Sequence, residues 1–436
     1  MTSHLLSSIM KSLSQKIIRF LIVPLQVATV WMIFLLTLWI SGGIAGGYPA
    51  FLMSVAIAGI FLWPRIRQGT RRAVIWSGMG LLLALVPLVI VLVPLASSSL
   101  PALAADKSVQ LWATHDGRHV AVYRYSAAPA NDRHMALVFA HGGPGAYLRD
   151  FDRNFFASFA HAGFDVVIYD QFGAGRSPLG DPTTYTHENN VRDLAAVLAR
   201  VDKPTVLIGQ SYGATLVTSA LSEEEIRKHV THVILSEPGR LPGSTESTAK
   251  SMSEKTTLAP DASETPSRAV IAKVAAPRAL LANFLPRENR FVKQEELINL
   301  YTADVQRLLI APGFCKGDTT LLNSFKAEPF NLKANVAINR DALAAPTPDL
   351  RKMKAPVMLL LGECSYIPRG LAMEYFGTYS IKRSQRILGV GHILWGNPRG
   401  QAMTRDAIIR FIENAPAALP NDPTAATANR FVDQGR

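Results

Sequence analysis

A mostly parallel β-sheet covered by helices on both faces, the doubly wound α/β class, is the fold that this 436-residue chain predicts from Val109 onward. Three observations point there. Short apolar runs alternate with helical patterns, the signature of parallel strands joined by crossovers. One such run, Thr205-Val206-Leu207-Ile208, ends in Gly209-Gln210-Ser211-Tyr212-Gly213 and passes straight into the small-residue helical pattern Ala214-Thr215-Leu216-Val217. Late in the chain, Gln385-Arg386-Ile387-Leu388 leads into Gly389-Val390-Gly391-His392, which places a histidine on a loop just past a strand.

In chain order, the first element is a membrane anchor spanning residues 1–100. No Asp or Glu occurs before Asp106, and apolar stretches run from about Ile17 to Ile40, Gly43 to Trp63 and Ala73 to Ala96. Each approaches the ~20 residues that cross a bilayer as helix, and three of them exceed a cleavable signal peptide, which has one apolar core. Lys11, Lys16 and Arg19 open the first stretch, and Arg65, Arg67, Arg71 and Arg72 fill the loop before the third. The positive-inside rule then sets the N-terminus in the cytoplasm of a bacterial-type inner membrane and the remaining domain on the extracytoplasmic side. Two alternatives stand beside this expectation: cleavage after Ala104, and a re-entrant second stretch, since Gly46, Gly47 and Pro49 interrupt it.

The net charge of +12 draws on those anchor cations, and no basic cluster is interleaved with aromatics, so nucleic acid is excluded as a partner. The two cysteines, Cys315 and Cys364, permit one disulfide or two buried thiols. Neither has the spacing or neighbours of a metal site, and no metal or organic cofactor is expected.

The first part of the α/β core, residues 106–239, opens with a hairpin, Leu111 to Thr114 and Val120 to Tyr125, turned by Asp116-Gly117. Strands follow at Leu137 to Ala140, Val166 to Tyr169, Val206 to Gly209 and Val233 to Ser236. The second part, 351–415, contributes Val357 to Leu361 and Arg386 to Leu388. Val191, Leu194, Val197 and Leu198 line one face of a helix over Asn190 to Val201. Residues 240–350 break the alternation and are far too long for an ordinary connection, which predicts an inserted helical cap. Its helices are expected near Ala269 to Phe284 and Gln294 to Leu309. Residues 416–436 form a Pro/Ala/Asn tail.

The strand, Gly-x-Ser-x-Gly and helix succession describes a nucleophile elbow, a strained turn that holds Ser211 out at the sheet edge. His392 is the histidine placed to take its proton. His141-Gly142-Gly143-Pro144-Gly145, after the strand Met135 to Ala140, offers backbone N–H groups of Gly142 or Gly143 that join that of Tyr212 in an oxyanion hole. His141 itself braces that loop. These segments, with Asp170-Gln171-Phe172-Gly173-Ala174-Gly175-Arg176-Ser177 and Gly391-His392, resemble the proline iminopeptidase-like branch of the α/β-hydrolases. The resemblance implies an α/β-hydrolase fold and a serine hydrolase working through an acyl-enzyme.

Two positions depart from the family pattern. Phe172 stands where the family commonly has arginine, while Asp170 and Arg176 are kept and order the loop beneath the site. More seriously, the family's aspartate in a Gly-x-x-Asp pattern falls on Gly362-Glu363-Cys364-Ser365, so Ser365 fills the acid position. A serine cannot stabilise an imidazolium as a carboxylate does. Glu237, at the end of the strand after the nucleophile strand, and Glu363 are the candidate replacements. Glu237 is preferred because it points to the same crevice as Ser211.

The leading functional expectation is a membrane-anchored serine hydrolase that cleaves small peptide amides, with Glu295 and Glu296 as candidates to hold a free ammonium. An esterase or lipase-like enzyme acting on acyl esters is the alternative. A catalytically impaired fold used for binding is a third reading, motivated by Ser365. The expected partners are a small-molecule, peptide or acyl ester substrate and the lipid bilayer.

Overall fold

The computed structural model describes residues 105–244, 292–318 and 326–419, with isolated positions elsewhere. The chain divides into two compact units, residues 1–96 with 272–296, and residues 97–271 with 297–436. The second unit holds an eight-stranded sheet.

Its strands are β1 (Val109–Ala113), β2 (His119–Tyr125), β3 (Met135–Ala140), β4 (Phe164–Asp170), β5 (Thr205–Gln210), β6 (Val230–Ser236), β7 (Val357–Gly362) and β8 (Ile381–Ile387). They lie in the order β1-β2-β4-β3-β5-β6-β7-β8. β2 runs antiparallel to both β1 and β4, and all pairings from β4 through β8 are parallel. The opening hairpin forms where the Asp-Gly pair predicts it: Asp116 and Gly117 both take positive φ, 48° and 72°, as a two-residue turn matched to strand twist requires.

Alternation along each strand sends successive side chains to opposite faces. Val138, Leu207, Val233 and Leu359 join one buried cluster, and Phe139, Val206, Ile208, Ile234 and Leu360 join the other. The first face is covered by α2 (His187–Leu198) and α3 (Tyr212–Ala220), the second by α1 (Asp150–His161) and α9 (Pro398–Ile412). Phe155, Phe156 and Phe159 of α1 pack around Phe139 and Trp395. Burying each such ring stabilises the fold by about 2–3 kcal/mol.

The stretch between β6 and β7 carries the helical cap. A helix over Gln294–Leu300 continues through a π-helical turn at Tyr301–Val305 into Gln306–Ile310, in line with the expected periodicity. A second helix, Leu332–Ala344, was not expected from the sequence. Its N-terminus is capped by the Asn331 side chain, which accepts from the Ala334 N–H at 3.1 Å. The expected helix at 269–284 lies outside the described residues, apart from Ala279. β8 starts earlier than expected, because Lys382, Arg383 and Gln385 carry no apolar alternation on this strand.

The membrane anchor requires correction. Among the described residues no helix is long and apolar enough to cross a membrane. The three apolar stretches fall almost wholly outside the described residues. Apolar length, the lack of acidic residues and the spread of Lys and Arg carried the anchor, the bilayer as partner and the inner-membrane location, and all three are withdrawn.

Candidate active site

Ser211 stands between β5 and α3 with φ 55° and ψ −122°, a conformation that costs a non-glycine residue about 1–3 kcal/mol. Crowding sets this turn. A Cβ on Gly209 would lie 2.5 Å from the Gly213 carbonyl oxygen, and one on Gly213 would lie 2.0 Å from that of Ala140. The two glycines thus let the helix start directly against the strand ends. The strain is held by backbone bonds on both sides: Ser211 N–H donates to Ser236 O, and Gly239 N–H donates to Ser211 O, each at 3.0 Å.

Those bonds also set Ser211 beside Glu237. Gln210 and Ser236 are register partners on β5 and β6, so residues 211 and 237 leave neighbouring strands at the same edge. Glu237 also takes positive φ, 45°, and is 2% exposed. Its Oε2 lies 3.3 Å from His392 Nδ1. The same carboxylate accepts the Gly362 N–H on Oε1 and the Ser365 hydroxyl on Oε2.

His392 is buried on the loop between β8 and α9. This loop is fixed by close backbone approach: Ile393 N–H donates to Gly313 O at 3.0 Å, and Cys364 N–H donates to Val390 O at 3.1 Å. Trp395 Nε1 donates to Asp152 Oδ1 at 2.7 Å and ties the loop to α1. The ring of Tyr366 lies 4.8 Å from that of His392, centroid to centroid.

The remaining predicted residues divide clearly. Glu363 accepts the Gly389 N–H on Oε2 at 2.8 Å and so is spent on the loop before His392. Gly142 abuts the elbow, since a Cβ there would lie 2.6 Å from Ser211 Cβ. Its N–H is taken by Gln210 Oε1 at 3.0 Å. Tyr212, the first residue of α3, has an N–H with no acceptor inside its helix.

His141 braces its loop. Nε2 accepts from the Gln171 N–H at 3.1 Å, which leaves the ring proton on Nδ1, 2.9 Å from Gly142 O. Burial pushes its pKa down to about 4. Asp170 accepts from the N–H groups of Leu148 at 2.7 Å and Arg176 at 3.0 Å, and burial raises its pKa to about 7. Phe172 packs beneath the guanidinium of Arg118, 3.7 Å from Cζ to ring centroid, and Arg118 is paired with Asp193. Packing thus stands where a guanidinium fork was expected.

Three contributors were missed from the sequence. Gln210, read only as the variable residue of the pentapeptide, holds Gly142 through Oε1 and His392 O through Nε2 at 3.3 Å. Asn190 and His187 on α2 both reach the Tyr212 hydroxyl, at 3.3 and 2.9 Å, and Asn190 also donates to Gln171 Oε1 at 3.2 Å. Gln171 in turn donates to His141 O at 2.8 Å. A buried polar chain therefore joins the glycine loop to the residue after Ser211. His187 and Asn190 could have been flagged as polar residues beside Val191, Leu194 and Val197 on the buried helix face. Cys315 and Cys364 form a disulfide across 49 residues, joining the segment after the Gln306–Ile310 helix of the cap to the loop after β7.

A family model described as the alpha/beta hydrolase family matches residues 137–403, more than half of the chain, and the chain belongs to that family. Fold and family together make it a serine-hydrolase-like enzyme. It is similar to the proline iminopeptidase of Thermoplasma volcanium, 33% identical over 97 residues, 21% of this chain and 31% of that protein. It is also similar to the proline iminopeptidase of Lactiplantibacillus plantarum, 37% identical over 86 residues, 18% of this chain and 28% of that protein. The chain thus spans about a third of the length of the curated relatives it matches. Among solved structures, an esterase from Exiguobacterium antarcticum aligns with TM-score 0.46 and 13% identity, covering 70% of this chain and 98% of that one. The Mycobacterium smegmatis proline iminopeptidase aligns with TM-score 0.44 and 17% identity, with the same coverage.

The expectation of a membrane-anchored peptidase is corrected. Its anchor is absent among the described residues, and its peptide specificity rested on motifs that match the curated peptidases over less than a third of their length.

Proposed function

We propose that this chain is an esterase that hydrolyses acyl esters, with Ser211 as nucleophile, His392 as general base and then acid, and Glu237 as the carboxylate that orients His392. The observation that carries this reading is the 3.3 Å approach of Glu237 to His392 Nδ1, made from the strand end beside Ser211. Ser211 Oγ attacks the acyl carbonyl as His392 Nε2 takes its proton, and the imidazolium forms against the Glu237 carboxylate. The N–H groups of Tyr212 and Gly143 hold the oxyanion, Gly142 having given its own to Gln210. His392 then protonates the departing alkoxide, and water resolves the acyl-enzyme.

Ester rather than peptide substrates are favoured by where the negative charge is already spent. A substrate's free ammonium needs an uncommitted carboxylate in a desolvated site. Among the described residues Asp152 pairs with Arg149, Asp170 with backbone N–H groups, Asp193 with Arg118, Glu237 with His392, and Glu328 with Arg153 and Arg176, while Glu374, whose carboxyl oxygens are buried without a hydrogen-bond partner, feels the charge of Arg240. Likeness to the proline iminopeptidase-like branch supports the architecture of the site and not its substrate.

The test compares short-chain acyl esters with aminoacyl amides on one enzyme preparation, alongside labelling by a fluorophosphonate probe. Wild type labels and turns over esters, and Ser211→Ala does neither. Amide turnover without ester turnover would overturn the ester reading, and a wild type that resists the probe would overturn the nucleophile.

A further inference from the structure

The family's acid slot is occupied by a residue that still addresses the catalytic carboxylate. Ser365 Oγ reaches Glu237 Oε2, the same oxygen that faces His392 Nδ1. The direction of that bond is fixed by its surroundings. The Ile367 N–H donates to Ser365 Oγ at 3.1 Å, so the hydroxyl accepts from the backbone and turns its own proton towards the carboxylate.

Glu237 needs such a hold. A glutamate has one more rotatable bond than the aspartate usual at the slot, and ordering its side chain carries a larger entropic cost. It reaches its place from β6, on a backbone position of positive φ, and spans to the end of β7. Two donors fix its oxygens there, Gly362 N–H on Oε1 and Ser365 Oγ–H on Oε2. The loop carrying Ser365 is itself held, since Cys364 is bonded to Cys315 and its N–H donates to Val390 O.

We propose that Ser365 is a positioning residue for the acid: it donates to Glu237 Oε2, locks the carboxylate against His392, and divides that oxygen's hydrogen-bonding capacity between hydroxyl and imidazole. This inference rests on the Ser211, His392 and Glu237 reading above. Removing the Ser365 hydroxyl leaves the Glu237 side chain free to turn away from Nδ1, so the imidazole is less often in its working orientation and kcat falls while KM is little changed.

Ester turnover by Ser365→Ala, Ser365→Thr, Glu237→Gln and the Ser365→Ala/Glu237→Gln double variant tests this, with thermal unfolding as the control for folding. Ser365→Ala loses roughly tenfold in kcat with KM changed less than about twofold. Ser365→Thr, which keeps the hydroxyl, recovers kcat. In the Glu237→Gln background Ser365→Ala causes no further loss, as expected for groups acting as one unit. A folded Ser365→Ala enzyme with wild-type kcat overturns the inference, as do a loss that Ser365→Thr does not recover and losses that multiply in the double variant. Full activity in Glu237→Gln instead removes the acid assignment itself, so the two failures are separable.

Discussion

Glu237 Oε2 lies 3.3 Å from Nδ1 of His392, although the two residues are 155 positions apart. In the proposed assignment the carboxylate holds the imidazole so that Nε2 takes the serine proton. Glu237→Gln is expected to lower kcat for ester hydrolysis by roughly 10²–10⁴-fold, in the manner of amide replacements of a triad acid. Glu363→Gln, whose carboxylate serves only Gly389 N–H, is expected to stay within about twofold of wild type. Steady-state kinetics of the two variants check the assignment, and the reverse order of effects would refute it.

The bridge made by Gln210 yields a second prediction. Its side chain holds Gly142 and the carbonyl of His392 at once, so Gln210→Met keeps the volume but leaves both backbone groups unpaired. A kcat loss of about tenfold or more is expected with little change in fluorophosphonate-accessible Ser211 on prolonged labelling. Equal kinetics in Gln210→Met would show that the bridge has no bearing on turnover.

A third prediction concerns acid stability. His141 and His187 are buried neutral, each with its pKa pushed down from 6.5 to about 4. A depressed pKa means that the unfolded chain binds the proton first, so stability present above pH 6.5 is lost as pH falls towards about 4. Asp170 opposes this: its pKa is raised from 3.8 to about 7, so its contribution is present at low pH and is lost as pH rises through about 7. Of these three groups, two histidines against one aspartate make unfolding take up a net proton between about pH 6.5 and 4, and His232, also lowered by burial, acts in the same direction, so their combined contribution to stability falls on acidification. His187→Gln removes one of the two histidines and should flatten the slope. Denaturant unfolding at a series of pH values measures it, and an unchanged slope in the variant would count against the assignment.

The disulfide supplies a fourth. Closing the 49-residue separation between Cys315 and Cys364 restricts the unfolded chain by about 4 kcal/mol on the loop-entropy account. Cys315→Ser/Cys364→Ser should unfold at lower denaturant, and wild type treated with a reductant should approach it. If reduction leaves the midpoint unmoved, the bond contributes nothing under those conditions.

Much of this architecture was legible in the sequence because strand alternation and crowded glycines are local signals. The elbow at Gly209 to Gly213, the Asp116-Gly117 turn and the sheet strands all declare themselves within a few residues. The place of Glu237 just past the neighbouring strand was readable from the apolar run before it, whereas the bond from the Gly389 N–H to the other candidate, Glu363, was not. What stayed hidden depended on distant partners. Ser365 read as a missing acid because its hydroxyl finds Glu237 only after β6 and β7 pair, and the work of Gln210 requires two loops to meet. The anchor failed for the opposite reason: hydropathy over a window is a local signal, and the described residues contain no helix that fits it.

The neighbouring exits of Ser211 and Glu237 carry a mechanical corollary. Both leave strands laced to each other by the β5–β6 ladder, whereas His392 arrives on a separate arm. The proposed nucleophile and acid are therefore carried on one hydrogen-bonded ladder. The imidazole joins that ladder through the bonds that pin its own loop, among them Ile393 N–H to Gly313 O, Trp395 Nε1 to Asp152 Oδ1 and Gln210 Nε2 to His392 O.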